Sequence, residues 1–231
     1  MVNKLTKNHS SGFTFIEIIV TLGVAIIILG IFVAVGDPVE MFKISRDNKR
    51  ISDLSALKLA IATYIENSTT TDLDGPKFPG VGGAGVDMYP YLFISIPTEQ
   101  ITIPPYPTQC NPQNQQEWGF SQSDSTKLLK TDGYGWLPIN FQELPLRVIS
   151  ELPIDPINSY AQGYYYSYAF KGYAPNTTER VFELRTNLES KTYSYGGKND
   201  KESTDNGIVD TLYEIGTNLT LIPEAFTYEC F

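Results

Sequence analysis

The residues with the clearest chemical potential stand near the start of the chain. Glu17 is the only charged side chain between Phe13 and Val35, in a run otherwise interrupted only by Thr14, Thr21, Gly23 and Gly30. An ionisable group inside a membrane span costs about 2.5–3.5 kcal/mol on insertion scales, so it needs a partner or a purpose. Gly12-Phe13 forms the border between this run and a polar leader carrying Lys4 and Lys7. A second set of oxygen-bearing side chains, Asp200, Asp205, Asn206 and Asp210, lies among Gly196, Gly197 and Gly207. Oxygen ligands in a flexible loop suit Ca2+, though no glutamate closes the loop as in an EF-hand. A solvated acidic loop is the other reading. Cys110 and Cys230 are the only two cysteines. In an oxidising compartment they can form one disulfide, and otherwise they are separate thiols.

Catalytic chemistry has little to work with. The one histidine, His9, sits in the leader. A chain cut at the polar–apolar border would hold no histidine, and so no His-dependent triad or His-bearing metal site. No phosphate-binding loop, dinucleotide fingerprint or paired-cysteine zinc pattern is present. Acids for a carboxylate-pair glycosidase are available, but nothing singles out a pair. The expectation is a protein that is not an enzyme and requires no cofactor. The formal charge of −9, with no basic stripe beyond the leader, fits nucleic acid poorly as a partner.

The elements that must carry these residues follow in order. Residues 1–12 are a basic leader. Residues 13–36 are an apolar stem, about the 20 residues that a bilayer requires of a helix. Lys4 and Lys7 hold its start on the cytoplasmic side, so the rest is translocated. Pro38 predicts a kink or local melting. A helical pattern then resumes over 37–66. Ile51, Leu54, Leu57, Ile61, Tyr64 and Ile65 recur at three- and four-residue steps, with Lys43, Arg46, Asp47, Lys49, Arg50 and Asp53 mainly off that stripe. As one helix, 13–66 would be about 80 Å long and would project from the membrane.

Residues 67–231 form the head, about 165 residues and enough for one core. Residues 75–112, rich in Gly and Pro, read as an irregular connection. Residues 113–131 are polar apart from Trp118-Gly119-Phe120, and 141–152 suit a short helix. Asp155, between Pro153 and Pro156, forms a turn. Residues 164–170 and 180–186 read as an antiparallel hairpin, and 213–222 as a final strand. The tyrosines at 164–168 supply sheet faces, or an exposed aromatic row for a glycan or partner. The fold class is α+β, a long N-terminal helix packed on a small antiparallel sheet with long loops.

Gly12-Phe13 with Glu17, the basic leader and the unbroken stem together resemble the prepilin-type cleavage and methylation signal of type IV pilins and type II secretion pseudopilins. The resemblance implies cleavage after Gly12, N-methylation at Phe13, and Glu17 as the glutamate at the fifth mature position that neutralises a neighbouring subunit's amine. Leu152-Pro153-Ile154-Asp155-Pro156, and the Arg50/Asp53/Leu54/Ala56/Leu57 pattern, resemble segments of major pseudopilin heads, whose C-terminal loop holds calcium. The implied partners are copies of the chain, other pilins, a prepilin peptidase, an inner-membrane assembly platform and the membrane. The implied location is the cytoplasmic membrane before assembly and an envelope or extracellular filament afterwards. A monomeric membrane-anchored surface domain that binds a ligand or glycan is the alternative.

Overall fold

A computed structural model describes residues 12–35, 37–68, 73, 75, 91–101, 119–146, 148–171 and 180–222. The chain divides into two compact units, Met1–Phe42 and Lys43–Phe231. Cys110 and Cys230 lie outside the described residues.

The first unit holds α1, Phe15–Val35. Its described side chains, Phe15 to Gly30, are exposed on every side. The hydroxyl of Thr21 donates to the carbonyls of Glu17 and Ile18, both at 2.9 Å, so this polar group is satisfied within the helix. Among the described residues no helix is long and apolar enough to cross a membrane.

The helical stretch expected over 13–66, with a kink or local melting at Pro38, consists of two helices that break just before that residue. The second, α2, spans Pro38–Asn67. Pro38 fits the first helical position, where its missing N–H leaves no bond unmade. Asp37 caps the turn, its Oδ1 accepting the Glu40 N–H at 3.1 Å.

In the second unit, Leu54, Leu57, Ala60, Ile61 and Tyr64 of α2 are buried in the main core. They share it with Phe93, Trp136, Tyr166, Tyr168, Phe182 and Leu184. The strands are β1 Tyr91–Ile94, β2 Gly119–Ser121, β3 Ser167–Lys171, β4 Val181–Thr186 and β5 Tyr213–Gly216. They form one sheet in the order β2-β1-β3-β4-β5. The β3–β4 hairpin pairs Ser167 with Arg185 and Lys171 with Val181, antiparallel as the sequence predicts. β5 adds antiparallel to β4, and β1 antiparallel to β3.

Two strands depart from the sequence reading. β1 falls inside the segment read as irregular, and β2 pairs parallel to β1 rather than antiparallel. β1 carries no alternating pattern because both its faces are covered. Phe93 enters the main core, while Leu92 and Ile94 join Ile96, Ala169 and Ile222 in a second cluster. The segment expected to hold a short helix supplies a single 3-10 turn, Phe141–Glu143.

Candidate functional site

At the start of α1, Thr14 and Glu17 form a reciprocal cap. The Glu17 N–H donates to Thr14 Oγ1 at 3.3 Å, and the Thr14 N–H donates to Glu17 Oε2 at 3.4 Å. Both bonds are long, but together they satisfy two N–H groups that a helix start leaves without partners. Thr14 did not stand out in the sequence reading, although Thr-x-x-Glu before an apolar run is the spelling of such a cap. Glu17 therefore has a partner within its own chain. Gly12 and Phe13 precede the cap, and the Phe13 ring is 80 % exposed. The border and the carboxylate thus occupy one exposed helix end.

A second concentration of charge lies in the head. Asp47, Arg50 and Asp53, read as lying mainly off the apolar stripe, are buried. Arg50 is completely enclosed. Its Nη1 donates to Asp47 at 2.7 Å, and its Nε and Nη2 donate to the two oxygens of Asp155 at 2.6 and 3.0 Å. The face of Tyr164 covers the guanidinium at 4.7 Å. Burial works against the charge on Arg50, but bonds and attraction from Asp155 and Asp47 outweigh it and raise the pKa.

Each carboxylate also gathers backbone. Asp155 accepts the N–H groups of Ile157 and Asn158 at 2.8 and 3.2 Å, which forms the turn expected of it. Asp47 accepts those of Glu189 and Ser190 at 2.9 and 2.8 Å. Asn158, at φ 45°, exchanges hydrogen bonds with Ser95. One guanidinium thus joins α2, the proline-flanked turn and the segment after β4. Beside this group, Tyr166 donates its hydroxyl to Asp53 at 3.0 Å.

Arg46 and Glu189 form a bidentate pair at 2.7 and 2.6 Å on the rim of this cluster. The bond from Arg46, aided by its charge, holds the Glu189 carboxyl below its ordinary value. A depressed carboxyl contributes stability above its unfolded pKa, and that contribution is lost as pH falls through the lower folded value. Glu189→Gln is expected to cost about 1 kcal/mol or less at pH 7, since Arg46 is partly solvated. The gap to the parent protein should close as pH falls below the ordinary glutamate range in parallel urea titrations. A gap independent of pH would remove the pair from the account.

The third group is the loop carrying the calcium candidates. Asp200 accepts the N–H groups of Gly196, Glu202 and Ser203 at 2.7, 3.0 and 3.0 Å, and the Ser203 hydroxyl at 2.7 Å. Desolvation pushes its pKa up, but these bonds prevail and hold it low. Asp205 accepts the N–H groups of Gly207 and Glu214 at 2.7 and 2.5 Å. Burial raises Asp205 to about 6. Burial likewise raises Glu202, which accepts the N–H groups of Leu188 and Tyr195, to about 7.

Asn206, at φ 68°, and Asp210 are exposed. Glu214 packs against Gly207, where a Cβ would collide with its carboxylate. Glu214 also pairs with the buried Arg185, which binds Glu183 as well. The loop is thus folded on its own carboxylates, and among the described residues no three acidic, histidine or cysteine side chains converge as metal ligands.

The head is an α+β domain whose buried ionic cluster ties helix to loops, and the apolar helix is a separate unit. Comparison with protein-family models, with curated proteins and with solved structures finds no match to this chain.

Proposed function

We propose that the chain is a structural subunit of a type IV pilus-like or type II secretion pseudopilus filament. It is inserted in the cytoplasmic membrane with the head outside, cut after Gly12 by a prepilin peptidase and N-methylated at Phe13. It then polymerises through its apolar helix with copies of itself and with other pilins, on an inner-membrane assembly platform. The protein is a substrate of this chemistry and not an enzyme.

One observation carries the reading. An apolar helix exposed on every described side is preceded at once by Gly12-Phe13 and bears one carboxylate near its start. A helix apolar all round has to be buried, in lipid or against other helices. Packing identical helices in a filament meets that need, and it gives Glu17 a cationic partner once cleavage frees an amine at Phe13.

The test is the intact mass and N-terminal sequence of the protein taken from membranes of cells that have the peptidase. A chain beginning at methylated Phe13 is expected. A chain beginning at Met1 overturns the reading.

Calcium is proposed as an optional ligand of the 200–210 loop; for Asp200, Asp205, Asn206 and Asp210 to share one ion, the loop would have to exchange the bonds that Asp200 and Asp205 now accept from its N–H groups. Millimolar Ca2+ would then add about 1 kcal/mol, a rise in Tm of roughly 2–4 °C over chelator. Identical melts with and without chelator would remove calcium from the account.

A further inference from the structure

We propose that the head carries a binding site for a neutral sugar ring, in a cavity of about 450 Å3 lined by Tyr160, Gln162, Gly163, Tyr164, Asn187 and Leu188. The inference does not depend on the filament reading. It rests on the size, lining and rigidity of the cavity.

The volume lies within the ordinary range for small-molecule sites, roughly 300–1,000 Å3. Two tyrosines and two amide side chains line it, and none of its lining residues is charged. Such a wall offers little to a free cation or anion. A pyranose presents a flat C–H face and a rim of hydroxyls. The C–H face suits an aromatic ring, and the hydroxyls suit amides, which both donate and accept.

The lining is held in place by neighbours outside the cavity and by a bond between two of its own residues. The Tyr160 ring stacks on Tyr165 with centroids 6.1 Å apart. Tyr164 lies against the Arg50 guanidinium at 4.7 Å, on the enclosed ionic cluster. The Asn187 side-chain amide donates to the Gly163 carbonyl at 2.8 Å. Gly163 itself sits at φ 75°, where glycine closes the 160–163 turn without strain. A site whose side chains are already fixed loses less conformational freedom on binding. Gln162 and Ala161 are exposed at the mouth, where a longer saccharide could extend.

The experiment is saturation-transfer NMR on the full chain in a detergent without a sugar headgroup. The probes are glucose, galactose, N-acetylglucosamine and a tetramer of N-acetylglucosamine, with sialic acid as the charged comparison. Transfer to at least one neutral sugar and none to sialic acid is expected. Stronger transfer to the tetramer than to the monosaccharide would place the natural ligand on a polymer, and equal transfer would point to the free sugar.

Ala161→Trp, which fills the mouth, and Gln162→Ala, which removes a hydroxyl partner, should each weaken binding about tenfold or more. Both positions are exposed, so folding is preserved and can be checked by an unchanged Tm. Absence of transfer from every neutral probe overturns the proposal. So does binding that neither variant alters.

Discussion

Replacing Arg50 with alanine is expected to destabilise the head by about 3–5 kcal/mol, the usual cost of removing one partner from a buried ion pair. The size follows from what remains. Asp47 and Asp155 would stay enclosed, each still accepting backbone N–H groups but without a countercharge. Burying a charge without a partner is far more costly than burying a matched pair.

For a unit of this size the loss corresponds to a fall in Tm on the order of 10 °C. Urea unfolding followed by tryptophan fluorescence measures it. Arg50→Lys should recover little, because an ammonium cannot replace the fork that meets both oxygens of Asp155. The triple change Arg50→Met, Asp47→Asn and Asp155→Asn should recover part of the loss by removing the stranded charges. A loss below about 1 kcal/mol for Arg50→Ala would mean that water reaches the cluster and screens it.

The second large effect is expected at Glu17. Under the filament reading, Glu17→Ala leaves cleavage after Gly12 intact but lowers filament yield on the order of 100-fold. The carboxylate is then the partner of a neighbouring subunit's amine in a low-dielectric core, and either charge alone is costly there. The same substitution also removes one half of the cap that Thr14 and Glu17 form at the start of α1.

Thr14→Ala separates the two roles. It weakens the cap, typically by about 1 kcal/mol, and keeps the carboxylate. If pairing between subunits matters most, Thr14→Ala should assemble far better than Glu17→Ala. Equal defects would reduce Glu17 to a capping residue. Shear fractions and electron microscopy score the filaments, and intact mass scores the cleavage.

Much of the helical and sheet framework was legible because it depends on local pattern. The stripe Leu54, Leu57, Ile61 and Tyr64 required an amphipathic helix, and the structure buries all four. Alternation over 180–186 predicted β4, and the tyrosine run before it gave the opposite strand of the hairpin. Pro38 marked a break, and α2 starts there. β1 was hidden because a strand covered on both faces loses its alternation, and Pro97 and the glycines before it favoured a loop.

The ionic cluster was hidden for a different reason. Asp47 and Arg50 continue the same three- and four-residue steps as Leu54, Leu57 and Ile61. Their charge reads as a sign of solvent, which places these two outside the stripe. A charged residue in phase with a buried stripe is the signal that would have found them, but it cannot name the partner. Asp155 lies 105 positions from Arg50 in the chain, and only folding brings its carboxylate to the guanidinium.

The sequence by itself determined what is local: an apolar stretch with one carboxylate, the Gly12-Phe13 border, a helical stripe and the pair of strands that form a hairpin. These follow from composition and periodicity over a few neighbouring residues. The tertiary structure alone decided how distant polar groups meet. It enclosed Arg50 between two aspartates, folded the acidic loop onto its own carboxylates, and set Tyr160, Tyr164 and Asn187 around one cavity. The physical reason is that hydrogen bonds and ion pairs act over a few ångströms, and separation along the chain does not encode that distance.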